Sequence, residues 1–320
     1  MEPMELPRPE PGPGDLLVRV RAASVNPLDY KIRDGGVKVL IPYSFPLILG
    51  NDLAGDVEAV GPGVTTFKVG DAIYSRLDKD RIGAIAEYAL VREGAAAKMP
   101  ARLDYVQAAS LPLVGLTAWQ ALIDLAQLQG GQKVLIHAGS GGVGTFAIQL
   151  AKHLGAQVTT TASAKNHALV KSLGADVAID YKTTRFEEVA KNQDVVFDTQ
   201  AGETLLRSFE AVKLGGVVVT IGGRPGGKFA RAWGLSLPLV WILGFLNRKV
   251  DRLARKKRAR FEYLFMRASG EQLEKIGALV DQGVIKPILD KTFPLEAAAE
   301  AVSYVESGRA VGKVVIRVAD

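Results

Sequence analysis

The stretch KVLIHAGSGGVGTFAIQLAKHL, residues 133–154, decides the fold. Lys133–His137 reads as a short apolar strand, and from Thr145 to Leu154 the apolar residues recur at helical spacing. Between them Gly139, Gly141 and Gly144 satisfy G-x-G-x-x-G. Alone that pattern is weak, because glycine-rich turns are common; between a strand and a helix it is specific. Glycine permits the tight turn and lets the backbone approach a pyrophosphate closely. The following helix then offers unpaired N–H groups and the positive end of its dipole to that anion. Gly139, Ser140, Gly141, Gly142, Val143 and Gly144 are therefore candidate dinucleotide-binding residues.

Downstream the alternation continues. Gln157–Ala162, Ala175–Asp180, Asp194–Asp198 and Gly216–Ile221 read as strands, with helices near 165–173 and 204–212. Strands apolar on both faces, alternating with helices, predict a doubly wound parallel sheet of Rossmann type. An NAD site wants Asp or Glu at the end of the second strand, to bond the ribose 2′-OH. Here that end reads Thr161-Ala-Ser-Ala-Lys-Asn166, and the next acid is Asp176. Ser163 can donate a hydrogen bond to a 2′-phosphate and Lys165 can supply charge, with Tyr181 close behind the next strand. The combination predicts NADPH. Gly222, after the strand ending at Ile221, joins the cofactor set.

Upstream the texture is different. Asp15–Ala22 alternates apolar and charged residues, a polar turn follows at Ser24–Asp29, and short strands are punctuated by Gly61-Pro62-Gly63 and Gly70-Asp71. Ala84–Val91 reads as another strand and Gln107–Leu128 mostly as helix. Glu271–Gln282 and Leu295–Ser307 are amphipathic, and Val311–Val318 is a closing strand. The α/β chain of 320 residues is thus a small irregular β domain followed by a parallel-sheet domain.

Composition narrows the chemistry. With no cysteine there is no disulfide, thiolate metal site or Cys nucleophile. The three histidines, His137, His153 and His167, lack metal-ligand spacing and read as packing or surface residues. The N-terminus lacks a secretory pattern, and no uncharged apolar run reaches the roughly 18–20 residues of a membrane span. A soluble, cytoplasmic protein is expected. The net charge of +6 is local: between Arg248 and Arg260 eight basic residues face the single acid Asp251, and the rest of the chain is slightly acidic. Nucleic acid is therefore not an expected partner.

Several motifs beside the glycine turn carry a resemblance: Ser24-Val-Asn-Pro-Leu-Asp29, Gly50-Asn-Asp-Leu-Ala-Gly55, Val60-Gly61 with Phe67-Lys-Val-Gly-Asp71, Gly83-Ala-Ile-Ala-Glu-Tyr88 and Leu111-Pro-Leu-Val-Gly-Leu-Thr-Ala118. In this order they resemble the medium-chain dehydrogenase/reductase superfamily, and within it the zinc-independent quinone oxidoreductases, along nearly the whole chain. The subgroup it is most similar to is that of the chloroplast-envelope quinone oxidoreductase homologues. The resemblance implies a GroES-like substrate domain at 1–111 with 262–320, a Rossmann domain at 112–261, an active site in the cleft, and a homodimer. Zinc relatives carry a Cys near the start and a Gly-His-Glu motif; here Asn26 stands near the Cys position and Gly50-Asn51-Asp52 replaces the second motif. Family members usually begin with a strand ahead of the E-x-P-x-P segment, at which this chain almost starts; lacking it would expose a sheet edge.

The resemblance implies hydride transfer from NADPH. Without zinc no Lewis acid polarises a simple ketone, so an activated acceptor is expected: a quinone or an α,β-unsaturated carbonyl. Asn26, Tyr30 and Tyr43 are candidate catalytic residues, with Lys31 a further donor, while Thr117 and Lys313 match family positions near the cofactor. A non-catalytic NADPH-binding redox sensor or scaffold has the same cofactor site and stays open. Residues 235–260 pair an apolar stretch with the basic run, and Leu246, Val250, Leu253 and Ala254 fall on one helical face. Such a segment suits either packing as a lid or dimer contact, the commoner use, or peripheral contact with an anionic membrane.

Overall fold

The computed structural model describes residues 1–319. It comprises two compact units, Met1–Leu116 with Met266–Asp320, and Thr117–Phe265. Along the chain the first unit opens with β1 (Asp15–Val25), α1 (Pro27–Arg33), β2 (Asp52–Val60), β3 (Ala72–Arg76), β4 (Tyr88–Arg92), β5 (Ala96–Lys98) and α2 (Tyr105–Ala109). Helix α3 (Pro112–Trp119) leads into the second unit. There follow β6 (Lys133–Ile136), α4 (Gly142–His153), β7 (Gln157–Ala162), α5 (His167–Ser172), β8 (Val177–Asp180), α6 (Phe186–Val189), β9 (Gln193–Asp198), α7 (Gly202–Ala211), β10 (Val212–Thr220), α8 (Gly227–Ala232), α9 (Leu237–Lys257) and β11 (Arg260–Tyr263). The chain then completes the first unit with α10 (Gly270–Asp281), β12 (Leu289–Pro294), α11 (Ala298–Glu306) and β13 (Lys313–Arg317).

In the first unit the strands run in the order β12-β13-β1-β2-β3-β5, with β4 also paired to β1. Strand β1 is its axis. Its first half pairs with β4 and its second half with β13, while β2 lies along its other side. Leu16, Val18 and Val20 of β1 bury against Leu53, Val57, Ile73 and Val91. The pairing sets Ser24 opposite Asp52 on one side and Val25 opposite Val314 on the other. It therefore gathers polar residues from three distant motifs at one end of β1. Residues 1–11 form no strand; Arg8 bonds Glu58 of β2 at 2.7 Å and lies 4.4 Å over the Tyr88 ring of β4.

The second unit has one six-stranded sheet in the order β11-β10-β9-β6-β7-β8. Every pairing is parallel. The strand order reverses beside β6, and in doubly wound sheets ligands bind at the carboxyl ends of the strands at such a switch point. The glycine turn leaves β6 at that place.

Some elements differ from the sequence expectation. The strand expected from Ala84 begins only at Tyr88, because the Ala84 and Ile85 N–H groups bond the carbonyls of Gly50 and Leu49 instead. The units divide five residues after 111 and four after 261. Helix α3 straddles the first junction, and Leu264 N–H bonds Thr220 O at 2.8 Å, holding the second junction to the parallel sheet. Most of the apolar stretch and of the basic run after Gly234 lies in one helix, α9, of 21 residues, with Arg258 and Arg260 beyond its end. Its Val250 and Ala254 are buried, with Leu253 packed beside them. Leu246, one turn earlier on the same face, is 48% exposed. No described helix is long and apolar enough to cross a membrane.

Candidate functional site

Each unit carries one constellation. In the second unit, Ala138 turns the chain out of β6 with φ +53°, and Gly141 caps α4 with no side chain bonded to the helix end. A Cβ on Gly139 would lie 2.1 Å from Thr160 Oγ1, and one on Gly144 would lie 2.2 Å from Ala138 O. These two glycines pack the turn against β7 and against itself. Gly141 is different: a Cβ there would meet only Ala138 O, at 3.4 Å. Its missing side chain leaves open the approach to the uncapped end of α4, which is the cradle a pyrophosphate requires. Gly139 N–H bonds Thr161 O at 2.9 Å, and Asn166 Nδ2 donates to Ser140 Oγ at 3.0 Å. The end of β7 is thus fastened to the turn. Asn166 was quoted in the sequence but not recognised as this fastener, because the bond spans 26 residues.

Ser163, after β7, is half-buried, Lys165 is exposed, and Tyr181 beyond β8 is 58% exposed. Thr117 is buried. At the end of β10 a Cβ on Gly222 would come 2.9 Å from Ala201 Cβ. That close approach is held by Asp198, which the sequence reading passed over. Its carboxylate accepts Thr220 Oγ1 at 2.7 Å and the N–H groups of Gln200 and Ala201. Burial pushes this carboxyl up; the three donors hold it down less strongly. His137 bonds Thr161 Oγ1 and Ser208 Oγ at 3.2 and 3.1 Å and stacks edge-on to Phe186, a packing residue as expected.

In the first unit, Ser24, Asn26, Asp29, Asn51, Asp52, Arg76 and Lys313 form a fully buried polar cluster. Lys313 Nζ donates to Asn26 Oδ1 at 2.6 Å and to Val25 O at 3.0 Å, and lies 3.9 Å from Asp52 Oδ2. Asp52 accepts Asn26 Nδ2 at 2.9 Å, Ser24 Oγ at 2.7 Å and the Leu113 N–H at 2.9 Å. Asp29 accepts the Asn26 N–H and Asn51 Nδ2, each at 2.7 Å. Burial pushes Asp29 up to about 6 and raises Asp52, which Lys313 partly offsets; burial lowers Lys313. Asn51 Oδ1 and Arg76 Nε and Nη2 have no partner.

Three of the candidate residues have partners within this unit. Lys313, expected near the cofactor, stands on β13, which pairs with β1 and carries its ammonium into the cluster. Asn26, a candidate catalytic residue, accepts Lys313 Nζ on its side-chain carbonyl and donates from its amide nitrogen to Asp52. Tyr43, a candidate catalytic residue, donates its hydroxyl to the Ile32 carbonyl. Tyr30 packs its ring beside the Val25, Val302 and Val314 cluster, and burial raises its hydroxyl pKa. Lys31 is exposed. Asp29, Asn51 and Asp52 stood in the quoted motifs, and only the sheet register shows that they share a site.

A family model for the alcohol dehydrogenase GroES-like domain matches residues 12–101, and one for zinc-binding dehydrogenases matches 173–316. The chain is 33% identical to the chloroplast envelope quinone oxidoreductase homolog of Arabidopsis thaliana, over 99% of its own length and 93% of the relative's. It belongs to the medium-chain dehydrogenase/reductase superfamily, among the quinone oxidoreductase-like members. A second medium-chain relative, the chloroplastic NADPH-dependent alkenal/one oxidoreductase of the same plant, is 33% identical over 96% of the chain and 73% of that protein. The quinone oxidoreductase structure from Coxiella burnetii superposes with a TM-score of 0.86 at 33% identity, covering 98% of this chain and 93% of that one. In this medium-chain protein no group of three or more His, Cys, Asp or Glu among the described residues is placed to hold a metal ion.

Proposed function

We propose that the protein is an NADPH-dependent, zinc-independent oxidoreductase that reduces a quinone or an α,β-unsaturated carbonyl. The open turn at Gly141 and the uncapped end of α4 support a bound dinucleotide. The absence of a carboxylate at Ser163–Asn166, with Lys165 exposed there, favours the 2′-phosphate form. The plant relative is named NADPH-dependent, in keeping with this.

The observation that carries the acceptor class is Lys313. Its buried ammonium is held at 2.6 Å from Asn26, which stands near the position of the Cys in zinc relatives. Asp52, the carboxylate beside it, already accepts three hydrogen-bond donors, and Asn26 offers no thiolate, so we assign the cluster no Lewis acid. An acceptor already activated by conjugation fits that chemistry. When bound, the cofactor supplies a hydride to an electrophilic carbon, and a proton must reach the acceptor oxygen or the adjacent carbon to complete the reduction. Tyr30, whose hydroxyl stays protonated at neutral pH, is the donor we favour.

The test is steady-state turnover with 1,4-benzoquinone and an alkenal, comparing NADPH with NADH in the wild type and in Lys165→Glu. NADPH oxidation that survives EDTA is expected, and the variant should raise the NADPH KM about tenfold or more with the NADH KM little changed. Tight NADPH binding with no oxidation across a broad acceptor panel would instead favour a sensor or scaffold. Loss of turnover on chelation would sink zinc independence.

A further inference from the structure

Helix α9 is packed on one side only. Val240, Asn247, Val250 and Ala254 are buried. Its opposite side is divided along its length. The first part presents Leu237, Trp241, Ile242 and Phe245, with Leu246 at its flank, exposed by between 48% and 75%. Large apolar side chains clustered in this way are unusual on a free surface and mark an interaction site. The second part of the outward side presents Arg248, Lys249, Arg252, Arg255 and Lys256, all exposed. The helix's one acid, Asp251, is half-buried. The two parts adjoin, with the Arg248 guanidinium 4.2 Å over the Phe245 ring.

We propose that this face docks the protein on an anionic lipid bilayer. The apolar residues enter the boundary between headgroups and acyl chains. Trp241, 75% exposed, is of the type that settles there, its ring apolar and its N–H polar. The five cations then lie level with the lipid phosphates, and their aliphatic stems extend over apolar surface. Charge selects this occupant over a second copy of the chain, which would bring five more cations to the same contact. A nucleic acid would satisfy the cations but leave the Leu, Ile and Phe side chains without a partner. The inference does not depend on which acceptor the protein reduces.

The full-length protein is sedimented with sucrose-loaded vesicles of phosphatidylcholine, with or without phosphatidylglycerol, at low and high salt. Binding is expected on the anionic vesicles at low salt and loss of it on neutral ones. At about fivefold per cation, R252Q/R255Q/K256Q should lower the partition coefficient about a hundredfold. Trp241→Ser with Phe245→Ser should weaken binding even at low salt. Melting temperature and NADPH binding are measured alongside, and variants that keep both report on the face alone. No sedimentation of wild type at low salt overturns the proposal. So does equal binding to neutral vesicles, or a wild-type dimer that Trp241→Ser/Phe245→Ser converts to monomer.

Discussion

His137 shows what one buried side chain does to the pH dependence of the whole chain. Burial, with Arg207 nearby adding to it, holds the ring at about 3, against 6.5 for a free histidine. The folded protein keeps it neutral, while an unfolded chain takes up a proton below 6.5. This stabilising contribution is therefore complete above pH 6.5 and is lost as pH falls towards 3, at about 1.4 kcal/mol per unit. Between pH 7 and 5 the unfolding free energy should drop by about 2 kcal/mol on this account. In His137→Gln that drop should shrink by the same amount, as read from urea midpoints at the two pH values. An unchanged slope would mean that His137 is not held neutral. In the sequence His137 reads as a packing or surface residue, for want of metal-ligand spacing. The sequence had no means of showing Thr161, Ser208 and Phe186, which come from other elements. Lys313 illustrates the same limit: its partner Asn26 lies 287 residues away.

At the scale of the element, the strand–turn–helix of β6 and α4 separates glycines needed for the protein from one left open for the ligand. A Cβ at Gly144 would collide with Ala138 O at 2.2 Å and Gly139 Cα at 2.6 Å, both backbone. Gly144→Ala should destabilise the protein by about 1–3 kcal/mol, as overpacking does, and lose cofactor binding with it. Gly141 has φ −82° and room for a methyl group in the protein. Gly141→Ala should leave the melting temperature unchanged yet weaken NADPH binding about tenfold or more, because the methyl group fills the space the pyrophosphate approaches through. Calorimetric titration with thermal melts of both variants checks this. Equal losses of stability in the two would refute the distinction. This element was legible because its determinants are local: strand, glycines and helix lie within 22 consecutive residues. Helix α9 was only half legible. Its basic run was plain, but which apolar residues turn inward depended on where the helix met β10 and α7.

At the scale of the molecule, the first unit is assembled from both ends of the chain. Strand β13 lies between β1 and β12, and Tyr74 Oη donates to Leu273 O at 2.5 Å, across 199 residues. The second unit is one continuous segment whose parallel pairs are nearer in sequence. Long loop closures slow folding, so unit 2 should form first on refolding. Pulse-labelled hydrogen exchange should find Val134–Ile136 amides protected before those of Val314–Ile316; the reverse order would contradict the argument. The same discontinuity explains why the buried polar cluster was not legible: its members sit in motifs near residues 26, 51 and 313, and only the β1 register unites them.

The sequence by itself determined the dinucleotide turn, the acid-free end of β7 and the succession of β and α/β units, since each depends on neighbours a few residues apart and on hydrophobic period. Tertiary structure alone decided that Lys313 reaches Asn26 and Asp52, that the Tyr43 hydroxyl meets a backbone carbonyl, and that α9 keeps five large apolar side chains in the open. Those outcomes turn on which surfaces meet, and a buried charge takes its role from the partners that burial brings to it.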